Sequence, residues 1–263
     1  MITVFLSTLF IVTFFTYCYY ILFQYQRPLL IKSHQLLLLT AHPDDECMFF
    51  GPTLTYLQSF SNKTRVHVLC LSTGNADGLG NIRKKELVRS CQKFDISSTH
   101  VKSLDHSELQ DGMKNNWSPS LIAGIVADYV KKHKIDTIIT FDDQGVSGHV
   151  NHGAAFYGAK EYTQNHPSGA KLYKLKTISL LRKYIGLVDL IIMAAQDWIR
   201  NKSMISHGQS SSFGSPNITF VSPPIGYLQA HKAMRQHQSQ LVWFRWLYVT
   251  FSRYMFINEL EMV

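Results

Sequence analysis

From residue 35 onward, short apolar runs alternate with longer stretches whose apolar residues recur at helical spacing. Residues 36–40, 65–71, 137–141 and 175–181 are short and rich in leucine, isoleucine or valine, which predicts strands. Residues 48–60, 81–93, 121–133 and 149–164 predict helices; in the third of these Leu121, Ile125 and Tyr129 recur every four positions. This alternation predicts an α/β fold, a Rossmann-like and mainly parallel sheet with helices on both faces and right-handed crossovers.

The pattern ahead of residue 35 is different. Residues 1–23 carry no charged side chain, and at about 1.5 Å per residue they reach roughly 34 Å, enough for a hydrocarbon core near 30 Å. No basic residue precedes the run and bulky Tyr17, Tyr19 and Tyr20 close it, which argues for a retained transmembrane helix over a cleaved signal. The expected organisation is therefore an anchor at 1–23, a linker at 24–34 and one catalytic domain at 35–263. Arg27 and Lys32 follow the span, so the domain is expected on the cytosolic side. The Asn-x-Ser/Thr triplets at 62–64, 201–203 and 217–219 argue mildly the other way. A Ser/Gly-rich stretch at 205–217 reads as an insertion loop. The aromatic segment at 241–256 either packs on the core or lies in a membrane interface.

A formal charge of +8 points to an anionic neighbour. The charges are scattered and no recognition motif accompanies them, so nucleic acid is not the expected partner and a membrane or phosphate-bearing substrate is. The four cysteines, Cys18, Cys47, Cys70 and Cys91, lack metal-type spacing and read as buried thiols. The segment Gly78-Leu79-Gly80-Asn81-Ile82-Arg83 imitates a dinucleotide fingerprint but lacks its third glycine and does not follow the first strand.

The chemistry is concentrated in two runs. Ala41-His42-Pro43-Asp44-Asp45-Glu46 follows the first predicted strand, and Gly148-His149-Val150-Asn151-His152 lies shortly after a later one. In open α/β sheets, ligands bind beyond the carboxyl ends of the strands. His42 and Asp45 are three apart, as are His149 and His152, so each pair can face one ion. Two histidines and one carboxylate leave a position for water, as catalytic zinc sites do. Asp44 is then free to accept a proton. Spacing alone leaves open whether His149 or His152 is the ligand. His67, His100, His106, His133 and His207 have no partner at ligand spacing and read as structural.

These two runs, with Arg83-Lys84-Lys85-Glu86 between them, resemble the zinc-dependent sugar de-N-acetylases over roughly residues 36–258. Leu181-Arg182-Lys183-Tyr184 and the 237–245 segment are similar to the membrane-anchored branch, which acts on N-acetylglucosaminyl-phosphatidylinositol. The resemblance implies hydrolysis of the N-acetyl group to give acetate and glucosaminyl-phosphatidylinositol, the second step of glycosylphosphatidylinositol (GPI) anchor synthesis, at the endoplasmic reticulum membrane. Deacetylation of another N-acetylated sugar and an idle binding protein are the alternatives. The resemblance further implies Zn2+ held by His42, Asp45 and His152, Asp44 as general base, and His149 as oxyanion stabiliser or amine acid. It gives Arg83 the substrate's polar or phosphate part and makes Glu46 a brace for the first run. Ser147 stands where some relatives have an aromatic hydroxyl, so no such role carries over.

Overall fold

The structure, a computed structural model, describes residues 2–25, 31–60, 64–186, 188–189, 191–193, 195–196, 199 and 217–263. The predicted insertion at 205–217 lies outside the described residues but for its last position, as does the middle of the predicted linker.

The chain begins with α1 (Ile2–Tyr25), a helix with no acidic residue in its first turn and no basic one in its last. Most of its described apolar side chains, Val4, Phe5, Leu9 and Phe10 among them, are exposed. The side chains of 18, 19 and 21–25 lie outside the described set. Among the described residues no helix is long and apolar enough to cross a membrane, so the anchor expected at 1–23 is not confirmed.

The sheet then builds from both directions. In chain order come β1 (Gln35–Thr40), α2 (Asp45–Phe49), α3 (Gly51–Phe60), β2 (Arg65–Cys70), α4 (Gly80–Gln92) and β3 (Val101–Ser103). They are followed by α5 (Pro119–His133), β4 (Thr137–Phe141), α6 (Val150–Asn165), β5 (Lys171–Leu175) and α7 (Leu180–Tyr184). After the stretch outside the described residues come β6 (Asn217–Val221), α8 (Pro224–Met234), α9 (Trp243–Phe251) and β7 (Ile257–Met262). The seven strands run in the order β3-β2-β1-β4-β5-β7-β6. The first five pair in parallel, and β7 pairs antiparallel with both β5 and β6. The expected α/β sheet with helices on both faces is present.

β1 and β4 are buried over nearly their full length and supply Leu36, Leu37, Leu38, Leu39, Ile138 and Ile139 to the core. Central parallel strands covered on both faces need such continuous apolar runs. From β1 the chain moves outward through β2 to β3, then returns to β4 on the other side and moves outward again. The order thus reverses between β1 and β4, and a crevice opens beyond their carboxyl ends.

Two predicted elements are corrected. The helix expected over 48–60 is two helices, interrupted at Phe50 (φ −113°, ψ 10°). Pro52 has no N–H for the Met48 carbonyl, so one continuous helix cannot form there. The strand expected over 175–181 is displaced: β5 ends at Leu175 and α7 starts at Leu180. Asp142 accepts from the Thr177 backbone N–H and from its hydroxyl, both at 2.6 Å. That grip draws the chain out of the sheet and ends the strand.

Candidate metal centre

The carboxyl end of β1 runs into a tight turn, Ala41 to Asp44, and then into α2. Oδ2 of Asp45 accepts from the backbone N–H of Ala41 at 3.0 Å and of His42 at 2.8 Å. The carboxylate thereby folds the turn around itself and leaves Oδ1 facing outward. Asp44 adopts a left-handed conformation (φ 108°), uncommon for a non-glycine residue. Its N–H donates to Oε2 of Glu46 at 3.0 Å, so Glu46 braces the strained position from below.

The second run is brought up by the turn after β4. Gly145 has φ 60°, and a Cβ there would meet Cβ of His152 at 2.7 Å. Only glycine lets the turn pass this close to the first turn of α6. The payoff in geometry is one hydrogen bond: Nδ1–H of His152 donates to the Gly145 carbonyl at 2.9 Å. The His152 Nε2 lone pair is then aimed at the other run. On the other side, Nε2–H of His42 donates to Asp111 at 3.0 Å and lies 3.2 Å from Oδ1 of Asn151. This leaves Nδ1 of His42 as the bare nitrogen. The tautomers are assigned from these partners.

Three electron-pair donors therefore converge. Nδ1 of His42 is 3.3 Å from Nε2 of His152, Nε2 of His152 is 3.3 Å from Oδ1 of Asp45, and Nδ1 of His42 is 3.9 Å from Oδ2 of Asp45. Ligands at about 2.0–2.1 Å from a tetrahedral zinc stand roughly 3.3–3.4 Å apart, so the donor set and its spacing fit Zn2+. With these tautomers two imidazole lone pairs face each other, an arrangement that a cation between them would satisfy. Each histidine is held by an oxygen acceptor through its other nitrogen, as metal-ligating histidines are. His149 stands at the edge: His42, His149 and His152 offer nitrogens within 4.8 Å of one another. Its Nδ1, however, accepts from the Asn151 N–H at 3.3 Å.

The electrostatics separate the two neighbouring aspartates. Burial alone would raise Asp45, but the adjoining His152 and His42 hold it well below the usual carboxylate range. Burial raises Asp44, against the pull of Arg245 and Arg83. Its Oδ2 is buried without a hydrogen-bond partner, flanked by Nη2 of Arg245 at 3.3 Å and Nη2 of Arg83 at 3.6 Å. Burial opposes charge on His42, yet its hydrogen bond to Asp111 and the nearby carboxylates raise its pKa. His149 is lowered to about 4, by burial first and then by His42 and His152. It is neutral at pH 7, and with Nδ1 occupied it presents Nε2–H.

The structure brings all six predicted residues, His42, Asp44, Asp45, Arg83, His149 and His152, to one cleft of about 730 Å3. Arg83 is more committed than expected. Its side chain is only 7% exposed, and it donates to the carbonyls of Gly74 at 2.9 Å and Pro43 at 2.7 Å. Two participants were not read from the sequence. Asp111 sits in an aperiodic loop and orients His42. Arg245 comes from α9, with its side chain 26% exposed in the cleft wall. The segment carrying Arg245 was noted in the sequence, but nothing in its spacing ties it to the site.

The family model described as PIG-L: GlcNAc-PI de-N-acetylase matches residues 37–163. A relative from Schizosaccharomyces pombe is 40% identical over 237 residues, covering 90% of this chain and 89% of its own, and is named "Probable N-acetylglucosaminyl-phosphatidylinositol de-N-acetylase". One from Bos taurus is 37% identical, covering 86% of this chain and 82% of its own, and bears the name N-acetylglucosaminyl-phosphatidylinositol de-N-acetylase. Among solved structures, the zinc-inhibited form of teicoplanin deacetylase Orf2 superimposes with a TM-score of 0.56 at 12% identity, covering 87% of this chain and 98% of its own. N,N'-diacetylchitobiose deacetylase from Pyrococcus horikoshii gives 0.50 at 14% identity, covering 88% and 84%. These two share the fold. The chain is a hydrolase of the de-N-acetylase class. Within that class it belongs to the GlcNAc-PI de-N-acetylase family.

Proposed function

We propose that this chain hydrolyses the acetamide of N-acetylglucosaminyl-phosphatidylinositol, giving glucosaminyl-phosphatidylinositol and acetate, the second step of GPI-anchor synthesis. The observation that carries the reading is the convergence of His42 Nδ1, Asp45 Oδ1 and His152 Nε2 beside the buried Asp44. His42, Asp45 and His152 would hold the metal, and zinc is the ion their nitrogen and oxygen donors suit. When bound, it polarises a carbonyl and acidifies water.

The protein's own groups do the rest. Asp44, its basicity raised by burial, accepts a proton from the attacking water at Oδ2. The amide carbon gains the new C–O bond, and its oxygen takes up negative charge. His149 Nε2–H donates to that oxygen, as a neutral imidazole fixed by the Asn151 N–H can. The C–N bond then breaks, and the proton held on Asp44 passes to the departing nitrogen. The products are acetic acid and the amine, and transfer of the acid's proton to the amine gives acetate and the ammonium form. Arg83, tied to the Pro43 carbonyl and flanking Asp44, holds the turn and keeps positive charge against the carboxylate.

Membrane residence completes the reading. α1 contains no charged residue over its 24 positions, roughly 36 Å at about 1.5 Å per residue. A single span over 1–23 in the endoplasmic reticulum, with the domain at 35–263 facing the cytosol, would confine the enzyme to the surface where its lipid substrate lies, at high effective concentration.

The test is acetate release from the glycolipid by the full chain, before and after chelation and after readdition of Zn2+. Release that is lost on chelation and restored by Zn2+ is expected. Turnover of only soluble N-acetylated sugars would replace the lipid substrate with another. A mass shift of the native protein on glycosidase treatment would reverse the orientation.

A further inference from the structure

Arg83 was expected to bind the substrate's polar or phosphate part, yet it is buried, with Nη1 and Nη2 each donating to a backbone carbonyl and Asp44 and Asp111 each 3.6 Å away. Arg245 differs. Its protein partners among the described residues are Oδ2 of Asp44 and the sulfur of Met48, and its guanidinium has five N–H donors. A quarter of the side chain opens into the cleft, next to the proposed proton acceptor. The helix that carries it, α9, is amphipathic in an unusual direction. Tyr248 and Val249 face the protein, whereas Phe244, Leu247 and Phe251 are 52%, 51% and 52% exposed while still lining the cleft. These three recur at helical spacing and form one stripe. Tyr184 of α7 meets Tyr248 edge-on, with ring centroids 6.3 Å apart, and the next turn of α7 leaves Leu180 and Leu181 73% and 83% exposed. The cleft therefore runs from a floor of metal-capable side chains, past Arg245 and the buried cations Arg83 and Lys183, onto an apolar lip.

We infer that α9 binds the phosphatidyl half of the substrate: Arg245 takes the phosphodiester oxygens, and the Phe244–Leu247–Phe251 stripe covers the glycerol-linked chains at the bilayer surface. This rests on the proposed glycolipid reaction. A phosphodiester carries one negative charge and accepts the paired N–H groups of a guanidinium. Acyl chains next to it need an apolar wall, and a lip of aromatic and leucine side chains suits a membrane interface. The +8 formal charge of the chain favours the same anionic surface. One short helix thus joins headgroup recognition to lipid contact, in the order in which the substrate presents them.

The tests use the full chain. Arg245→Gln is compared with wild type on the glycolipid in phosphatidylcholine vesicles and on phosphate-free N-acetylglucosaminyl-inositol. The ratio of the two kcat/KM values should fall about 30-fold, the scale of one charge-assisted contact. Equal loss on both substrates would overturn the assignment, Arg245 then acting through Asp44 alone. Binding of glycerophosphoinositol, which has the phosphodiester without acyl chains, should weaken at least tenfold in Arg245→Gln, and unchanged affinity would overturn the assignment whatever the turnover. The triple variant Phe244→Ser, Leu247→Ser, Phe251→Ser should raise KM for the diacyl glycolipid about tenfold relative to its deacylated headgroup. An unchanged KM ratio would remove the stripe from the proposal. If glycerophosphoinositol binds in an Arg245-dependent way but wild type releases no acetate from the glycolipid, the phosphate assignment stands and the proposed reaction falls.

Discussion

Two clusters of histidine and acid meet in the first helical turn after β1, and only one of them opens onto the cleft. His42, Asp45 and His152 keep three electron-pair donors turned toward one point. Glu46, Cys47 and His237 also offer donor atoms within 4.8 Å of one another, but each is already engaged. Glu46 Oε1 accepts from Nε2–H of His237 at 2.7 Å and from the Ser90 hydroxyl, while Oε2 accepts from the Asp44 N–H. Cys47 donates its S–H to the Asp44 carbonyl at 3.3 Å. Burial, and then the charge of Glu46, pushes its thiol well above the ordinary value, so it does not supply the thiolate a metal needs. Residue type alone does not distinguish a metal centre from a brace. The hydrogen-bond inventory does: the first cluster turns three donor atoms toward one point, whereas in the second Glu46, Cys47 and Nε2 of His237 are tied to one another or to neighbours and only Nδ1 of His237 lacks a partner.

That contrast can be broken most sharply at His152. His152→Ala should lose bound zinc and, with it, measurable acetate release, by elemental analysis and assay of the same sample. Full zinc content would move the third ligand to His149. Asp44→Asn should keep the metal and lower turnover by roughly a hundredfold, the usual general-base contribution; turnover within a few-fold of wild type would remove Asp44 from the chemistry.

His237→Ala tests the closed cluster. It should leave one zinc per chain but destabilise the fold by roughly 3 kcal/mol in chemical denaturation, because Glu46 is left charged and unpaired in the interior. A loss of zinc without loss of stability would make the closed cluster the metal site instead.

The smallest effect belongs to a third group of histidines. His67 lies beside His100 and His133, with ring centroids at 4.5 and 5.0 Å, and among the described residues no carboxylate pairs with them. Burial, followed by the neighbouring rings and Arg65, lowers His67 from 6.5 to about 4. The unfolded chain therefore takes a proton below pH 6.5 that the folded one refuses until about pH 4. Stability is whole above pH 6.5 and falls through that window. His67→Gln should flatten this acid limb by about 1 kcal/mol, reduced from the full shift because part of that shift comes from the rings of His100 and His133, which are themselves partly open to solvent. A limb of unchanged slope in urea titrations would assign it to other groups.

Much of the parallel half was legible because central strands announce themselves as continuous apolar runs: 65–70 and 137–141 match their predicted spans closely. The antiparallel edge was not. β7 reads Ile-Asn-Glu-Leu-Glu-Met, a pattern that suits a loop or helix until a distant partner fixes it, and β3 has only three residues. The i, i+3 spacing grouped His42 with Asp45 and His149 with His152, and the structure brings all four to one cleft, whereas the way the His152 ring is turned depends on the Gly145 carbonyl, which spacing cannot show. Glu46 was read as a brace, but its partner His237 lies far along the chain and only packing unites them. Arg245 was hidden for the same reason.

The sheet order has a consequence for how the chain comes together. β6 touches the sheet only through β7, which is made later in synthesis. Until β7 slots in beside β5, β6 has no hydrogen-bonding partner in the sheet, and β5 shows a bare edge. Translation that stalls between residues 221 and 257 would leave two open strands at once. Chaperone dependence and misassembly during biogenesis should therefore be centred on this seam.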